Sequence, residues 1–496
     1  MNGFNRLLKN SVANIINGFS NVILGIVISP FLLQRLPIDS FSMWNLSIQV
    51  GAFFALIGFG CQLTVARNIT IAREKKDVSM EHHIIKNGVI LSSLGILFSS
   101  VLLIVIYNDF YTFFSKAEGI GTSDDQLTFF IVAISFVIGL ISSVFSGFFT
   151  GIERNDIPAI INLASRVILG FAIIITAKYG IKAMSYVYLI VNIISYLIIY
   201  FSYRLFRIKN MITGFHEKIT SNQFGKFFSY FIGISVFNLA SFLLVGLNGI
   251  LVGKYSFNEF AYYSLGMSLV TAGVGFINAA MSPIIQPLVK LSGKGDSVYK
   301  LNKLLYNLTF TVMCLSIIAI ISSIYIGPYI LSLWVGPSIS VHVEKIFIFL
   351  MVVNLVRLVG APLGLLYIAQ AKQNEIMHYP LMESVISVVL TIYFIGSYGM
   401  YSVPFGLAIS VCLILLIYSF RLLKILDDYS YFLKYKIIFI VYPITTFLFV
   451  IGLVEARGRS IESINYVFDV ISLLIVLLGG YSVFIRTKNI KKFLEV

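Results

Sequence analysis

Arg357 is the one charged residue in a long apolar run, Ile346 to Ala369 (IFIFLMVVNLVRLVGAPLGLLYIA). Arg166 stands alone in the same way within 157–178, apart from the terminal lysine of that run, and Glu383 is the one acid inside 376–396. A guanidinium is a flat fork of five donors that fits the oxygens of a carboxylate or phosphate. About 20 apolar helical residues cross the ~30 Å hydrocarbon layer of a bilayer, and a cation at that depth costs roughly 2.5–3.5 kcal/mol. An arginine kept there meets an anion. That anion is either a neighbouring helix's carbonyl or carboxylate, a purely structural bond, or a ligand. One arginine in each half of the chain suits a phosphate or pyrophosphate. Glu383 pairs with an arginine or exchanges a coupling ion, H⁺ or Na⁺, and a plain salt bridge fits it equally well. Arg67, Arg154 and Lys290 close the ends of other apolar runs, as an electrostatic funnel or as ordinary anchors at the headgroups.

Two uncharged faces accompany these charges. Asn10, Asn14, Asn17 and Asn21 recur at spacings of four, three and four. Ser264, Ser268, Thr271, Gly275, Asn278, Ser282 and Gln286 repeat the pattern in 260–288. Steps of three and four place residues on one side of a helix, so both stretches present a polar stripe. A stripe of this kind lines a cavity, or it lets helices approach closely through small residues. Tyr255, Tyr262 and Tyr263 could stack on sugar rings or belong to an interfacial aromatic belt.

The elements that must carry these residues follow from composition. The 496 residues are 58% hydrophobic and 12% charged, which no soluble chain of this length sustains. The expectation is an all-α polytopic membrane protein with about fourteen transmembrane helices. Met1 to Asn10 is polar and the first apolar segment, 11–34, is too long for a cleavable leader's core, so none is expected. Three cysteines in separate apolar runs form neither a disulfide framework nor a metal site. The net charge of +14 reflects Lys and Arg concentrated in alternate loops, such as the basic stretches 67–77 and 204–211, which suit anionic headgroups. That is the positive-inside pattern; it predicts both termini in the cytoplasm and removes any need for a nucleic-acid partner.

The chain also repeats. A shift of 219 residues lays 84–107 on 303–326, 127–150 on 346–369 and 157–178 on 376–397. Tyr179-Gly180-Ile181 then falls on Tyr398-Gly399-Met400, and Asn155-Asp156-Ile157 on Asn374-Glu375-Ile376. The reading is an N-terminal six-helix lobe (1–205), a basic linker (206–226), a C-terminal six-helix lobe (227–424), and two further helices with a basic tail (425–496). Six spans per copy is even, so the copies share an orientation, and two pseudo-symmetric lobes around a central cavity suit alternating access.

No Walker A sequence is present, since SGKGDS (292–297) lacks its earlier glycine, and no HExxH, GxSxG or paired-carboxylate motif appears. Nothing points to an enzyme or a cofactor. Two six-helix repeats plus two spans, with RLPIDSFSMW after the first span, GIERND after the fourth and ILSLWVG (Ile330 to Gly336) after the ninth, resemble the multidrug/oligosaccharidyl-lipid/polysaccharide exporter superfamily. Within it the chain is most similar to the O-antigen or capsule repeat-unit (Wzx-type) flippases. That resemblance implies an undecaprenyl-pyrophosphate-linked oligosaccharide as substrate, carried from the cytoplasmic to the outer leaflet of a bacterial inner membrane. It also implies a cationic lumen holding Arg166 and Arg357, and a polysaccharide polymerase and chain-length regulator as partners. Alternatives within the superfamily are a cation-coupled drug exporter, which calls for more intramembrane acids than Glu383, and a peptidoglycan-precursor flippase. A scaffold has no need of buried arginines.

Overall fold

The computed structural model describes residues 25–110, 114, 123–209, 221–281, 298–369, 375, 378–423, 434–458 and 462–494. Among them the backbone is helical almost throughout and holds no strand. In hydrocarbon each N–H and C=O must be satisfied within its own segment, which selects helices for a chain this apolar. In order they are α1 (Ile38–Glu74), α2 (Val78–Asn108), α3 (Ser123–Gly151), α4 (Asp156–Thr176), α5 (Ile181–Lys209), α6 (Ser221–Phe242), α7 (Asn248–Tyr255), α8 (Phe257–Met281), α9 (Val298–Tyr325), α10 (Gly327–Val335), α11 (Pro337–Leu358), α12 (Ala361–Ala369), α13 (His378–Tyr398), α14 (Ser402–Leu423), α15 (Tyr442–Gly458) and α16 (Glu462–Leu494).

Eleven stretches among the described residues are long and apolar enough to cross a membrane, against the fourteen expected. His378–Arg421 counts once at 44 residues but is two helices, α13 and α14, that reverse at Gly399 (φ 52°) and pack side by side. The expected span at 227–252 is interrupted by a π turn, Leu243–Leu247, between α6 and α7. Of 11–34, residues 25–34 fall among the described residues, 25–33 as helix.

The chain forms two compact units, Met1–Ser264 and Leu265–Val496. In the first, α3 lies against α1 through a glycine step. A Cβ on Gly147 would sit 2.5 Å from the Gln62 carbonyl oxygen, and one on Gly151 would sit 2.6 Å from that of Ala66. Small residues four apart let helix backbones meet where lipid gives no hydrophobic drive to association. The α6–π–α7 run also packs along α1. Arg67 lies 4.2 Å from the Tyr230 ring, Phe53 and Phe242 stand 5.5 Å apart, and the Gln49 amide donates to the Val245 carbonyl at 3.4 Å. Gly253 meets Leu46 at the other end.

In the second unit α11 is the most buried candidate crossing helix among the described residues and α16 the least. Two polar pins hold α16 on α9. At one end the Tyr325 hydroxyl donates to Asp469 Oδ1 at 2.6 Å and lies 3.1 Å from Ser472 Oγ; at the other Arg486 donates to Asn307 Oδ1 at 2.8 Å and covers the Phe310 ring at 3.8 Å. Asp469, which its position near a span end marks as merely solvated, is thus a hydrogen-bond acceptor. The matched Tyr-Gly sequences both turn corners. Gly180 (φ 87°) and Gly399 (φ 52°) sit beside the short 3₁₀ segments Ala177–Tyr179 and Gly399–Tyr401, a backbone region glycine enters without steric cost.

Candidate functional site

Arg357 does not stand at the middle of one straight helix. The helix begins earlier than the apolar run, at Pro337, and stops at Leu358, so Arg357 occupies its last turn. Pro337 to Arg357 is about 30 Å of helix at 1.5 Å per residue. The chain bends at Val359–Gly360 before α12. Gly360 packs tightly there: a Cβ would come 3.1 Å from the ring of Tyr418, on α14. The end of α11 thus lies close against Tyr418 and Leu415 of α14.

Glu383 of α13 meets it. Arg357 Nε lies 3.6 Å from Glu383 Oε1, with the arginine side chain 36% exposed and the glutamate 7%. That is an ion pair beyond hydrogen-bond length, and Glu383 Oε1 has no hydrogen-bond partner among the described residues. Tyr418 shares the field of both charges. Its ring stands edge-on to Tyr379 of α13 at 5.6 Å. Arg421, in the last turn of α14, bonds the Glu375 carbonyl at 3.2 Å, faces its carboxylate at 3.6 Å and lies 5.9 Å from the Tyr379 ring. Arg357, Glu383, Arg421 and these tyrosines make one charged and aromatic cluster inside the second unit. Sequence reasoning missed Arg421, Tyr379 and Tyr418. A basic residue in a helix's final turn looks like an anchor, and buried tyrosines have no spacing signature.

Arg166 is placed differently. It sits in the middle of α4, half-buried, within electrostatic reach of Tyr188 on α5. Tyr188 is itself buried, edge-on to Trp44 at 5.7 Å. The opposite side of α4 exposes Ile160, Val167, Phe171 and Ile175, the pattern of a lipid-facing stripe. Arg154 is closed in a two-pronged pair with Asp156, at 3.0 and 3.3 Å, across the GIERND turn, in which Glu153 takes φ 58°. That motif shapes the α3–α4 corner. Arg67 is exposed and stacked on Tyr230.

On α8 the two readings of the polar stripe separate. Gly266 and Gly273 are the residues facing Phe347 and Met351 of α11. Ser264 and Thr271 point elsewhere, with hydroxyls bonded to their own helix at Ala261 (2.9 Å) and Met267 (2.8 Å), while Ser268 is half-buried. Tyr263 is 1% exposed and stacked near Phe260, which takes its ring out of reach of a ligand. Asn10, Asn14, Asn17, Asn21, Ser282, Gln286 and Lys290 lie outside the described residues, as does the side chain of Asn278.

A cavity of about 460 Å³ opens between α11, α14 and α15, lined by apolar side chains such as Phe349, Phe405, Leu416 and Phe439. It suits hydrocarbon and holds none of the charged groups. Among the described residues no cluster of His, Cys, Asp and Glu could hold a metal ion.

Comparison with known proteins fits this architecture to a family. The profile described as polysaccharide biosynthesis protein matches residues 7–289, more than half of the chain. The chain belongs to that family. A Shigella flexneri protein assigned to O-antigen transport is 25% identical over 346 residues, 68% of this chain and 78% of its own length. Among solved structures, the lipid II flippase MurJ in an inward closed conformation superimposes with a TM-score of 0.66 at 15% identity, covering 99% of this chain and 100% of MurJ. An inward-facing multidrug-resistance MATE transporter of the MOP superfamily gives 0.58 at 14% identity, over 90% of this chain and 96% of its own. At such identities the structural likeness speaks for the fold, a multi-pass transporter fold of helices. The family membership adds polysaccharide biosynthesis to it.

Proposed function

We propose that this chain is a flippase that moves a lipid-linked oligosaccharide repeat unit from the cytoplasmic to the outer leaflet of a bacterial inner membrane by alternating access, for O-antigen or another surface polysaccharide. The observation that carries the reading is Arg357: among the described residues, a guanidinium in the most buried candidate crossing helix, yet 36% exposed and with Glu383 as its one ion-pair partner. A guanidinium with open donors suits a phosphate ester, and a pyrophosphate with its sugars does not cross hydrocarbon unaided. Undecaprenyl pyrophosphate is the carrier that fits this chemistry. Arg166 and Arg67 are the further cations of the path, and the polar stripe of α8 serves the sugar hydroxyls. Glu383 is the group for coupling to H⁺ or Na⁺. Both termini are cytoplasmic, and the polymerase and chain-length regulator act on the product. The protein works as a transporter without enzymatic chemistry.

Deleting the gene in its native host tests the proposal, with surface glycan, lipid-linked intermediates and drug susceptibility assayed together. Loss of surface glycan with accumulation of lipid-linked repeat units on the cytoplasmic side is the expected result. Normal glycan with heightened drug sensitivity would overturn it in favour of a drug exporter.

A further inference from the structure

Glu383 is an unusual neighbour for an anion-binding arginine. Its side chain is 7% exposed and 3.6 Å from Arg357, and its Oε1 has no hydrogen-bond partner among the described residues. The groups around it are Arg357 from α11 and Tyr418 from α14. Beyond Tyr418 stand Tyr379 of α13 and Tyr367 of α12, then Arg421 of α14 with Glu375. The charge within reach of Glu383 is therefore Arg357, because Arg421 already faces Glu375. A buried carboxylate needs a cation or a proton. Arg357 has the opposite exposure: its Nε edge faces Glu383 while a third of the side chain is open to a ligand.

We infer that Glu383 is a built-in competitor for Arg357. It holds the guanidinium in place while the site is empty and weakens its grip on a phosphate or pyrophosphate once one is bound. This rests on the reading of Arg357 as the anion site. Two anions sharing one cation repel each other, so a ligand is held less tightly than by an unshared arginine. A translocator requires that, since its site must bind well enough to load and weakly enough to unload. Affinity then depends on the protonation of Glu383. Acid neutralises the carboxylate, removes the competitor and tightens anion binding. Acid also makes pyrophosphate itself less negative, which weakens binding, so tightening on acidification is diagnostic of the protein group.

The test uses the full chain in lipid nanodiscs, with inorganic pyrophosphate and farnesyl pyrophosphate as probes. The two probes separate recognition of the headgroup from recognition of the tail. Glu383→Gln is expected to bind both about tenfold more tightly than the unmodified protein at neutral pH, to lose the acid-induced tightening, and to flip lipid-linked repeat units more slowly because release is slowed. Tighter binding with slower turnover is a split that structural damage does not produce. Glu383→Asp keeps the charge and is expected to keep the pH profile; it and the acid titration of the unmodified protein carry the test if the Gln variant folds poorly. Arg357→Gln distinguishes the two levels. If it binds pyrophosphate as well as the unmodified protein, Arg357 is not the anion site. If it loses binding while Glu383→Gln binds no more tightly and the unmodified protein shows no tightening in acid, the anion site stands and the competitor role is overturned.

Discussion

Replacing Arg357 with alanine leaves Glu383 a buried carboxylate with its cation gone, and takes away the open guanidinium edge. We expect Arg357→Ala to abolish translocation in a complementation assay while protein level in the membrane stays normal. Arg357→Lys keeps the charge without the planar fork and retains part of the activity. A lysine variant as inactive as alanine, with normal insertion, would assign the effect to fork geometry rather than charge. The other cations do not share this role equally. Arg154 is paired with Asp156 at 3.0 Å, a local partner that a ligand would have to displace, and Arg166 lies within electrostatic reach of the buried Tyr188. The sequence marks all of them as charges at the edge or inside of apolar runs. Whether such a charge has a neighbour within 4 Å depends on side chains far away in the chain, which periodicity does not encode.

At the scale of elements, close approach of backbones does much of the positioning. Gly147 and Gly151 put α3 against carbonyls of α1, and a larger side chain there has nowhere to go. Gly147→Leu is expected to destabilise the first unit by about 1–3 kcal/mol, the usual cost of overpacking, seen as a lower melting temperature of the purified protein in detergent. A second case is α16, the least buried crossing helix. With lipid on most of its surface, it is held to α9 by the Tyr325–Asp469 and Arg486–Asn307 contacts at its two ends. Arg486→Ala removes a hydrogen bond and a cation–π contact with Phe310, a loss of about 1–2 kcal/mol. The expected result is faster alkylation of a cysteine placed at Ile318, which faces Gly479 of α16, than in the parent carrying that cysteine alone, with transport reduced rather than lost.

At the scale of the molecule, the alternation of basic and neutral loops predicts that cysteines placed in the basic loop at 75–76 and near the C-terminus are labelled from the cytoplasm, and a cysteine at Ser338 from outside. Labelling of all three from one side would refute the orientation and, with it, the direction of flipping. Hydropathy alone determined that the chain is a bundle of membrane helices and where most of them run, because a helix in lipid must satisfy its backbone alone and be apolar for about 20 residues. Sequence also exposed the matched Tyr-Gly corners, since a left-handed turn leaves a glycine in place. Gly360, Pro362 and Gly364 marked the interruption after Arg357, where the helix gives way to a turn at Val359–Gly360, but the sequence did not determine that the helix starts at Pro337, nor that 227–252 contains a π turn. Hydropathy is blind to how a helix is cut when every piece is apolar. Only the tertiary structure decided which buried charges meet. Arg357 and Glu383 are brought to 3.6 Å by the packing of α11 and α13 with α14, a consequence of shape complementarity among side chains distant in the chain.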